Sequence, residues 1–297
     1  MSYHHLLTPD LLHEARRNAR RRHVHSFQDG ITLKFGQGVT KEEYDILQLV
    51  HSTGCTFSPV PLEWSTYQEC NVIAMTTLPG LPYGHKRIYP GDKESICGDL
   101  KRIMDDLNDS LDAMGIRPPY PDQVCSLEGS SCLRLPYFDE LGPGPVALEH
   151  LVENMTCRTP QLDSLKDRHE SILRMLQTDR GVRFCHMDLH PGNILVEGGK
   201  VTGIADWEYA GWYTATMEVF AAVCHSHRLR AFASVLISTW GLSSELDNDA
   251  QESMSKLYQG TMRAQRENIR AEMVEKMRLR KLIRQEAKRL RQVNETQ

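Results

Sequence analysis

Short segments of alternating apolar and polar residues mark the chain between residues 24 and 80. This alternation predicts β-strands at 24–27 (VHSF) and 31–35 (ITLKF), with a Gln-Asp-Gly turn between them. A third strand is predicted at 71–75 (NVIAM), after a corner with the sequence Pro-Val-Pro. We therefore expect a small sheet in this part of the chain.

One helix is predicted between these strands, from about Lys41 to Ser52. Its apolar residues Tyr44, Leu47 and Val50 share one helical face. Thr40 is a suitable N-cap, because its hydroxyl can accept a hydrogen bond from a free amide of the first turn. The helix is expected to pack on the sheet.

The pattern becomes helical after about residue 85, apart from one predicted hairpin. Residues 9–22 (PDLLHEARRNARRR) predict a basic N-terminal helix. Between Arg263 and Arg291, eleven Lys or Arg residues stand against four Glu, and the apolar spacing predicts a long amphipathic helix. We expect that helix to rest on the large lobe with solvated charges. The alternative is an appendage that binds RNA, an anionic surface or a protein partner.

Two short motifs flank the predicted hairpin. FCHMDLHPGNILV contains Asp188 and Asn193, and GKVTGIADWEYAG contains Asp206, which follows Asn193 by 13 residues. The apolar segments 194–196 and 201–205 predict two strands joined by a Glu-Gly-Gly-Lys turn. Because a hairpin folds the chain back on itself, we expect Asn193 and Asp206 to lie side by side.

These residue types suit phosphoryl transfer, which depends mainly on positioning and charge neutralisation. Asp188 can accept the proton of an attacking hydroxyl or hold that hydroxyl in line. Asn193 can offer a side-chain carbonyl to Mg²⁺, and Asp206 can offer the carboxylate oxygen that Mg²⁺ prefers. The motifs therefore predict an ATP- and Mg²⁺-dependent phosphotransferase, with Asp188 as the catalytic base and the other two residues as metal ligands.

The sequences HMDLHPGN and ADWE resemble those of the aminoglycoside phosphotransferase and choline kinase-like family, small-molecule relatives of the protein kinases. The family commonly has HGDLHPGN followed by IDWE, so Met187 replaces a small residue and Ala205 an aliphatic one. The resemblance covers roughly residues 25–240. It implies an α+β, two-lobed protein-kinase-like fold with a small β-rich N-lobe and a larger, mainly helical C-lobe. The expected parts are a basic helical extension (1–23), a reduced nucleotide lobe (24–80), a catalytic lobe (81–250) and a charged C-terminal helix (251–297).

The resemblance also implies roles for further residues. His190 stands where protein kinases have a lysine that contacts the transferred phosphate, so it is a candidate catalytic donor; a surface histidine is the alternative. His186 is expected to hold its loop against the neighbouring strand. Lys34 is expected to bind the α- and β-phosphates, held by Glu43 on the following helix, with Glu42 as the rival partner.

Met75, Thr76 and Leu78 take the position of the hinge, where the family binds the adenine ring of ATP through backbone groups. One expected feature is missing, because Gly30 is the only glycine before Lys34, and a complete nucleotide lobe has a glycine-rich turn there. The cover over the phosphates is therefore expected to be absent or reduced. The alternative function is a non-catalytic kinase-like protein that binds a ligand or partner with weakened or lost ATP binding.

A small molecule with a hydroxyl group is the expected substrate, and its identity is open. Protein kinases have an arginine after the catalytic histidine and a long activation segment, whereas this chain has Met187 and a predicted helix at 217–224 soon after Asp206. A protein substrate is therefore not expected.

Aromatic residues are dense after the second motif: Trp207, Tyr209, Trp212 and Tyr213. Packing between the lobes is the expected role, and stacking on a sugar or a quaternary cation is the alternative. Glu208 is either a third carboxylate near the metal or a charge for a cationic substrate.

Composition agrees with such an enzyme. The 297 residues are 40% hydrophobic, enough for one large core or two modest ones. A net charge of -4 indicates no polyanionic partner, so a nucleic-acid partner is not expected. No apolar stretch of about 18 residues and no signal-peptide core are present, so a cytoplasmic location without membrane contact is expected. The eight cysteines have no metal-binding spacing and are expected to be reduced, mostly buried thiols.

Overall fold

The computed structural model describes residues 3–17, 22–84, 93–129, 144–147, 150, 181–225 and 230–241. The chain forms two lobes, a small lobe built on a four-stranded sheet and a larger lobe with three of the described helices. The C-terminal helix predicted between residues 263 and 291 lies outside the described residues, as does the whole predicted segment 251–297.

The strands of the small lobe are β1 (His23–Ser26), β2 (Ile31–Gly36), β3 (Pro61–Tyr67) and β4 (Cys70–Thr76). They form an antiparallel sheet in the order β1-β2-β4-β3. The strands predicted at 31–35 and 71–75 are confirmed, and β1 begins one residue before its predicted start. Strand β3 was not predicted, because Pro61 was assigned to a Pro-Val-Pro corner and the alternation of apolar and polar residues is confined to positions 62–65.

Two helices cover the sheet, α1 (Pro9–Arg17) and α2 (Lys41–Ser52). Leu12 of α1 belongs to the same buried cluster as Leu33 and Phe35 of β2. Because successive side chains of a strand point to opposite faces, Lys34 points away from α1. That face is the one covered by α2, which carries Glu43.

Helix α2 has the predicted bounds, and its N-cap is confirmed: the amide of Glu43 donates to Thr40 Oγ1 at 3.4 Å. The prediction for α1 is only partly right. The helix ends at Arg17, residues 18–21 lie outside the described part, and Arg22 is not helical. Arg22 leads directly into β1, so the predicted helix over 9–22 is too long.

The remaining helices are α3 (Lys93–Ala113), α4 (Ala215–His225) and α5 (Arg230–Thr239). The remaining strands are β5 (Leu81–Pro82), β6 (Gln123–Ser126), β7 (Val146–Ala147), β8 (Arg183–Cys185), β9 (Ile194–Glu197), β10 (Lys200–Ile204) and β11 (Gly211–Tyr213). They form two sheets, in the orders β10-β9-β5 and β7-β6-β11-β8. The strands of the second sheet were not predicted, because runs of two to four residues are too short to show a period.

Helix α3 supports the catalytic part of the large lobe. It packs against α5, β8 and β10. Its buried residues recur every three or four positions, which keeps one face in the core. They are Ile96, Cys97, Leu100, Ile103, Met104, Leu107 and Leu111.

The predicted hairpin is confirmed as β9 and β10, with Ile194 opposite Ile204. Gly198 and Gly199 both have positive φ angles, 58° and 78°, which a two-residue hairpin turn requires and glycine adopts without strain. The amide of Ala205 donates to the carbonyl of Asn193 at 2.8 Å, so the two motifs lie side by side at the open end of the hairpin.

One side chain ties α3 to the strand before the catalytic loop. The side-chain NH₂ of Asn108 donates to the Phe184 carbonyl at 2.9 Å, and the side-chain oxygen of Asn108 accepts from the backbone amide of Phe184 at 2.9 Å. Arg183 also pairs with Asp105 of α3 at 2.8 Å. These contacts fix β8 and thereby the entry into the loop that carries Asp188.

Cysteines of the described residues carry free thiols, at Cys55, Cys70, Cys97, Cys125 and Cys185. All of them are buried except Cys55, as expected from the sequence. Among the helices described, none combines the length and the apolar character needed to cross a membrane.

Replacing Asn108 by Ala is expected to lower the free energy of unfolding by about 1–3 kcal/mol, because the peptide groups of Phe184 lose both partners. Urea unfolding followed by circular dichroism measures this. Ser110→Ala is the control, since the Ser110 hydroxyl donates to the Asp106 carbonyl of the same helix. Equal stability of Asn108→Ala and wild type would contradict the role of Asn108.

Candidate active site

The ammonium group of Lys34 lies among three carboxylates. Its Nζ is 2.7 Å from Glu43 Oε1, 2.6 Å from Asp206 Oδ1 and 3.0 Å from Glu208 Oε2. The Lys34 side chain is only 4% exposed, so these contacts replace most of its hydration. The predicted partner Glu43 is confirmed, and the rival Glu42 does not contact Lys34.

The charged groups in this cluster shift one another's pKa values. Burial alone would lower the pKa of Lys34, but the three carboxylates outweigh that effect and raise it above its ordinary value. Burial raises the pKa of Glu43 to about 7, against the opposing charge of Lys34. For Asp206, the Lys34 charge outweighs burial and lowers the pKa. Asp206 therefore stays ionised more readily than Glu43.

Arg22 joins the same cluster from the start of β1. Its Nη1 pairs with Glu208 Oε1, and its guanidinium carbon lies 5.9 Å from the centre of the Tyr209 ring. Arg22 was not predicted as a site residue. It is separated from Glu208 by 186 positions, so no local sequence pattern could pair them.

Asn193 orients the predicted base. Its side-chain amide donates to Asp188 Oδ2 at 2.9 Å and to the Asp188 carbonyl at 3.1 Å. Since the NH₂ group serves Asp188, the Asn193 side-chain oxygen is the atom left to bind a metal. Burial, followed by the charge of Asp206, raises the pKa of Asp188 to about 8.

His190 lies beside the base. Its Nε2 is 3.8 Å from Asp188 Oδ2, and its Nδ1 accepts from the Gly192 amide at 2.9 Å. Burial lowers the pKa of His190 below its ordinary value, so the ring is neutral at neutral pH and carries its proton on Nε2. The nitrogen facing Asp188 is thus a donor, which fits the predicted role without testing it.

His186 ties the catalytic loop to the hairpin, as predicted. Its Nδ1 accepts from the Asp188 amide at 3.1 Å, and its Nε2 lies 3.0 Å from the carbonyl of Ala205. Both bonds are satisfied by a neutral ring with the proton on Nε2. Burial lowers the pKa of His186 to about 4, so the ring stays neutral. It therefore positions Asp188 and the segment before Asp206 at once.

Glu218 of α4 supports the same loop and was not predicted. Its buried carboxylate accepts from the amide of Met187 at 2.8 Å and from the amide of His186. Met187 has a φ of 64°, which explains why the family commonly has a small residue there. About 30 residues separate Glu218 from the loop, so the sequence carries no local sign of this contact.

The donor set fits Mg²⁺. Glu43, Asp206 and Glu208 each offer a carboxylate oxygen, and these oxygens lie within 4.8 Å of one another; the Lys34 ammonium contacts all three carboxylates. Glu43 Oε2 is buried without a hydrogen-bond partner in the described part of the chain. Carboxylate and amide oxygens are the hard ligands that Mg²⁺ prefers. The predicted ligands Asn193 and Asp206 lie together, and Glu208 extends the carboxylate group.

A model of the phosphotransferase enzyme family matches residues 37–241, more than half of the chain. The chain belongs to this family. The matched range begins after Lys34, so the first strands and Arg22 lie outside it. No curated protein sequence matches the chain significantly.

Solved structures that are similar to this chain include phosphotransferases. An aminoglycoside-3'-phosphotransferase of type VIII is 15% identical, with 85% of this chain and 98% of that chain covered and a TM-score of 0.49. APH(3'')-Id from Streptomyces rimosus is 13% identical, with 87% and 96% covered and a TM-score of 0.48. Choline kinase LicA from Streptococcus pneumoniae is 12% identical, with 83% of each chain covered and a TM-score of 0.44.

In this phosphotransferase-family chain, some hydrogen-bonding groups of the predicted hinge are already bonded within the protein. The amide of Thr76 donates to the Val60 carbonyl at 3.0 Å, and the Thr76 hydroxyl accepts from the Val60 amide at 2.9 Å. Met75 is buried. The amide of Leu78 has no hydrogen-bond partner among the described residues, so Leu78 is the hinge residue able to donate to a base. An adenine contact here stays a prediction.

The aromatic residues after Asp206 mainly pack, as expected. Trp207 is fully buried and donates to the Ile204 carbonyl at 2.8 Å, while Trp212 donates to the Leu127 carbonyl at 3.3 Å. Tyr213 is also buried. These three rings are not available to cage a ligand.

His186 is expected to make stability depend on pH. Its folded pKa of about 4 lies below the ordinary 6.5, so its stabilising contribution is present above pH 6.5 and is lost as the pH falls toward 4. Between pH 7 and pH 5, wild type is expected to lose about 2 kcal/mol more unfolding free energy than His186→Gln. Urea unfolding at several pH values measures the difference.

The control for that comparison is His51→Gln, which removes an exposed histidine far from the catalytic loop in the sequence. If wild type and His186→Gln lose the same free energy between these pH values, the buried ring of His186 is not held neutral.

Proposed function

We propose that the chain transfers the γ-phosphoryl group of ATP to a hydroxyl of a small molecule, with Mg²⁺. The observation that carries this proposal is the grouping of Asp188, Asn193 and Asp206 opposite the buried Lys34–Glu43 pair. A proton acceptor, two oxygen ligands for a metal and a phosphate-binding cation are the groups that the reaction requires.

Each of these site residues has a separate role in the reaction. Asp188 accepts the proton of the substrate hydroxyl as its oxygen bonds to phosphorus and the bond to the ADP oxygen breaks. Its raised pKa, about 8, suits a base that works near neutral pH. Asn193 holds the Asp188 carboxylate in position by a hydrogen bond to Oδ2, and His190 Nε2 lies 3.8 Å from the same oxygen. When bound, Mg²⁺ offsets the charge that develops on the phosphates.

The charge of the site supports a requirement for metal. Lys34 and Arg22 face three carboxylates, which gives a formal charge of −1 when all five groups are ionised. A polyphosphate brings further negative charge, so it is repelled unless a cation binds with it. Nucleotide binding is therefore expected to depend strongly on Mg²⁺.

A second candidate is a non-catalytic kinase-like protein that binds a ligand or partner. The contacts of Lys34 with Asp206 and Glu208 favour it, because they engage the cation that would bind phosphate. The missing glycine-rich turn favours it too. The intact Asp188, Asn193 and Asp206 favour the enzyme.

A thermal-shift titration with ATP, with and without Mg²⁺, separates the two candidates, since a ligand of the folded state raises the unfolding midpoint. The enzyme predicts a Mg²⁺-dependent rise. No rise up to millimolar ATP would favour the non-catalytic protein.

Asp206→Ala is expected to weaken Mg²⁺-dependent ATP binding by at least about tenfold, because the ionised metal ligand is lost. Isothermal titration calorimetry measures the affinity. The control is Asp112→Ala, at a carboxylate of α3 that is 67% exposed. Equal affinity of Asp206→Ala and wild type would exclude Asp206 as a metal ligand.

Asp188→Asn is expected to bind Mg²⁺-ATP as wild type does but to lower turnover by about 10²–10⁴-fold, because the amide cannot accept the proton. The substituted side chain still offers an oxygen to Asn193. Release of ADP in the presence of candidate acceptors measures turnover. Turnover at the wild-type rate would show that Asp188 is not the base.

A further inference from the structure

Arg22 brings a second cation into the site from outside the range that the family model matches. It stands directly before β1, and its Nε donates to the carbonyl of Gly38 at 3.0 Å. Gly38 lies in the turn between β2 and α2, four residues after Lys34. Arg22 is therefore tied to the same edge of the small lobe as Lys34.

Glu208 holds the two cations one carboxylate apart. Its Oε2 is 3.0 Å from Lys34 Nζ, and its Oε1 pairs with Arg22 Nη1. The Glu208 side chain is 6% exposed, so these cations replace its hydration. The carboxylate of Glu208 accepts from the ammonium of Lys34 and the guanidinium of Arg22, and a phosphate group in its place would meet the same charges and donors.

The guanidinium of Arg22 is held in place and is still reachable. The Gly38 carbonyl and the Tyr209 ring, 5.9 Å from the guanidinium carbon, restrict it, so little conformational entropy remains to be lost on binding an anion. Its side chain is 29% exposed, compared with 4% for Lys34. A ligand can therefore contact Arg22 without a rearrangement of the core.

Arg22 supplies a cation to a site in which one expected phosphate-binding feature is missing. A glycine-rich turn before the lysine strand would cover the phosphates with backbone amides, and only Gly30 precedes Lys34 here. Those phosphates need other donors. A guanidinium supplies several N–H groups in a fixed fork that matches phosphate oxygens.

We propose that Arg22 is a second phosphate-binding cation of this chain, and that Glu208 occupies the phosphate position between Arg22 and Lys34 until a nucleoside diphosphate or triphosphate binds. The proposal rests on the proposed function, because it assigns the nucleotide to the same site. Binding moves Glu208 away and leaves both cations on the phosphates.

Calorimetric titration of wild type and Arg22→Gln with ADP, and with adenosine, tests the role of Arg22 as a phosphate-binding cation. The substitution is expected to weaken ADP binding by about tenfold or more and to leave adenosine binding unchanged, since only phosphate meets Arg22. Arg22→Lys is expected to restore part of the affinity. Unfolding midpoints without ligand show whether each variant is folded.

Arg102→Gln is the matched control. Arg102 also pairs with carboxylates, those of Asp99 and Asp106, and also lies 5.9 Å from an aromatic ring, that of Phe57. It belongs to α3 and has no contact with the cluster around Lys34. Loss of ADP affinity in Arg22→Gln but not in Arg102→Gln separates a phosphate contact from a general loss of positive charge.

Glu208→Gln tests whether Glu208 occupies the phosphate position. With EDTA present, this variant is expected to bind ADP several times more tightly than wild type, because Lys34 and Arg22 are released and the cluster loses a negative charge. Tighter binding would support Glu208 as the group that a phosphate displaces. Unchanged or weaker binding would overturn that role.

The outcomes also distinguish a failure of this inference from a failure of the proposed function. If wild type binds ADP and Arg22→Gln binds it equally well or better, Arg22 only closes the site, and this inference fails while the proposed function stands. If wild type binds no ADP or ATP with or without Mg²⁺, both fail.

Discussion

The buried ammonium group of Lys34 is the constraint on which the arrangement of the site depends. It comes from β2 of the small lobe, and it meets Glu43 of α2 as well as Asp206 and Glu208, which follow β10 of the large lobe. Breaking a buried pair by removing one partner costs about 3–5 kcal/mol, because the other charge stays buried. The two lobes are therefore held together at the point where a nucleotide would bind. Any ligand of the site has to replace contacts that the protein already makes.

The second constraint is a loop held by hydrogen bonds of His186, Glu218 and Asn193. His186 stays neutral and joins the Asp188 amide to the Ala205 carbonyl, while the carboxylate of Glu218 binds the amides at the start of the loop. Asn193 then holds the Asp188 carboxylate itself. As a result the base is positioned by hydrogen bonds rather than by a cation, and its pKa is free to rise in its buried setting. In the proposed function, this separation keeps Asp188 able to accept a proton while the charges near Lys34 bind the phosphates.

Much of the site could be predicted from the sequence because its parts are local. The Gly-Gly turn between two apolar strands predicts the hairpin that places Asn193 beside the segment of Asp206. The N-cap at Thr40 predicts where α2 begins, and the family resemblance implies that Lys34 pairs with Glu43 of this helix. Arg22, the partners of Glu208 and the role of Glu218 could not be predicted, since these contacts join residues far apart in the chain and have no period. The helix over 9–22 was overextended for the same reason: Arg22 leaves the helical pattern to reach Glu208. The charge pattern alone favoured a continuous basic helix.

The most direct test is a crystal structure of the protein with Mn²⁺ and a non-hydrolysable ATP analogue, read by the anomalous signal of the metal. Our account predicts a metal peak bound by Asn193 and Asp206, with the Lys34 ammonium on the phosphates and still paired with Glu43. A structure in which the analogue binds elsewhere, or in which Lys34 keeps its contacts with Asp206 and Glu208 while no metal is bound, would contradict it.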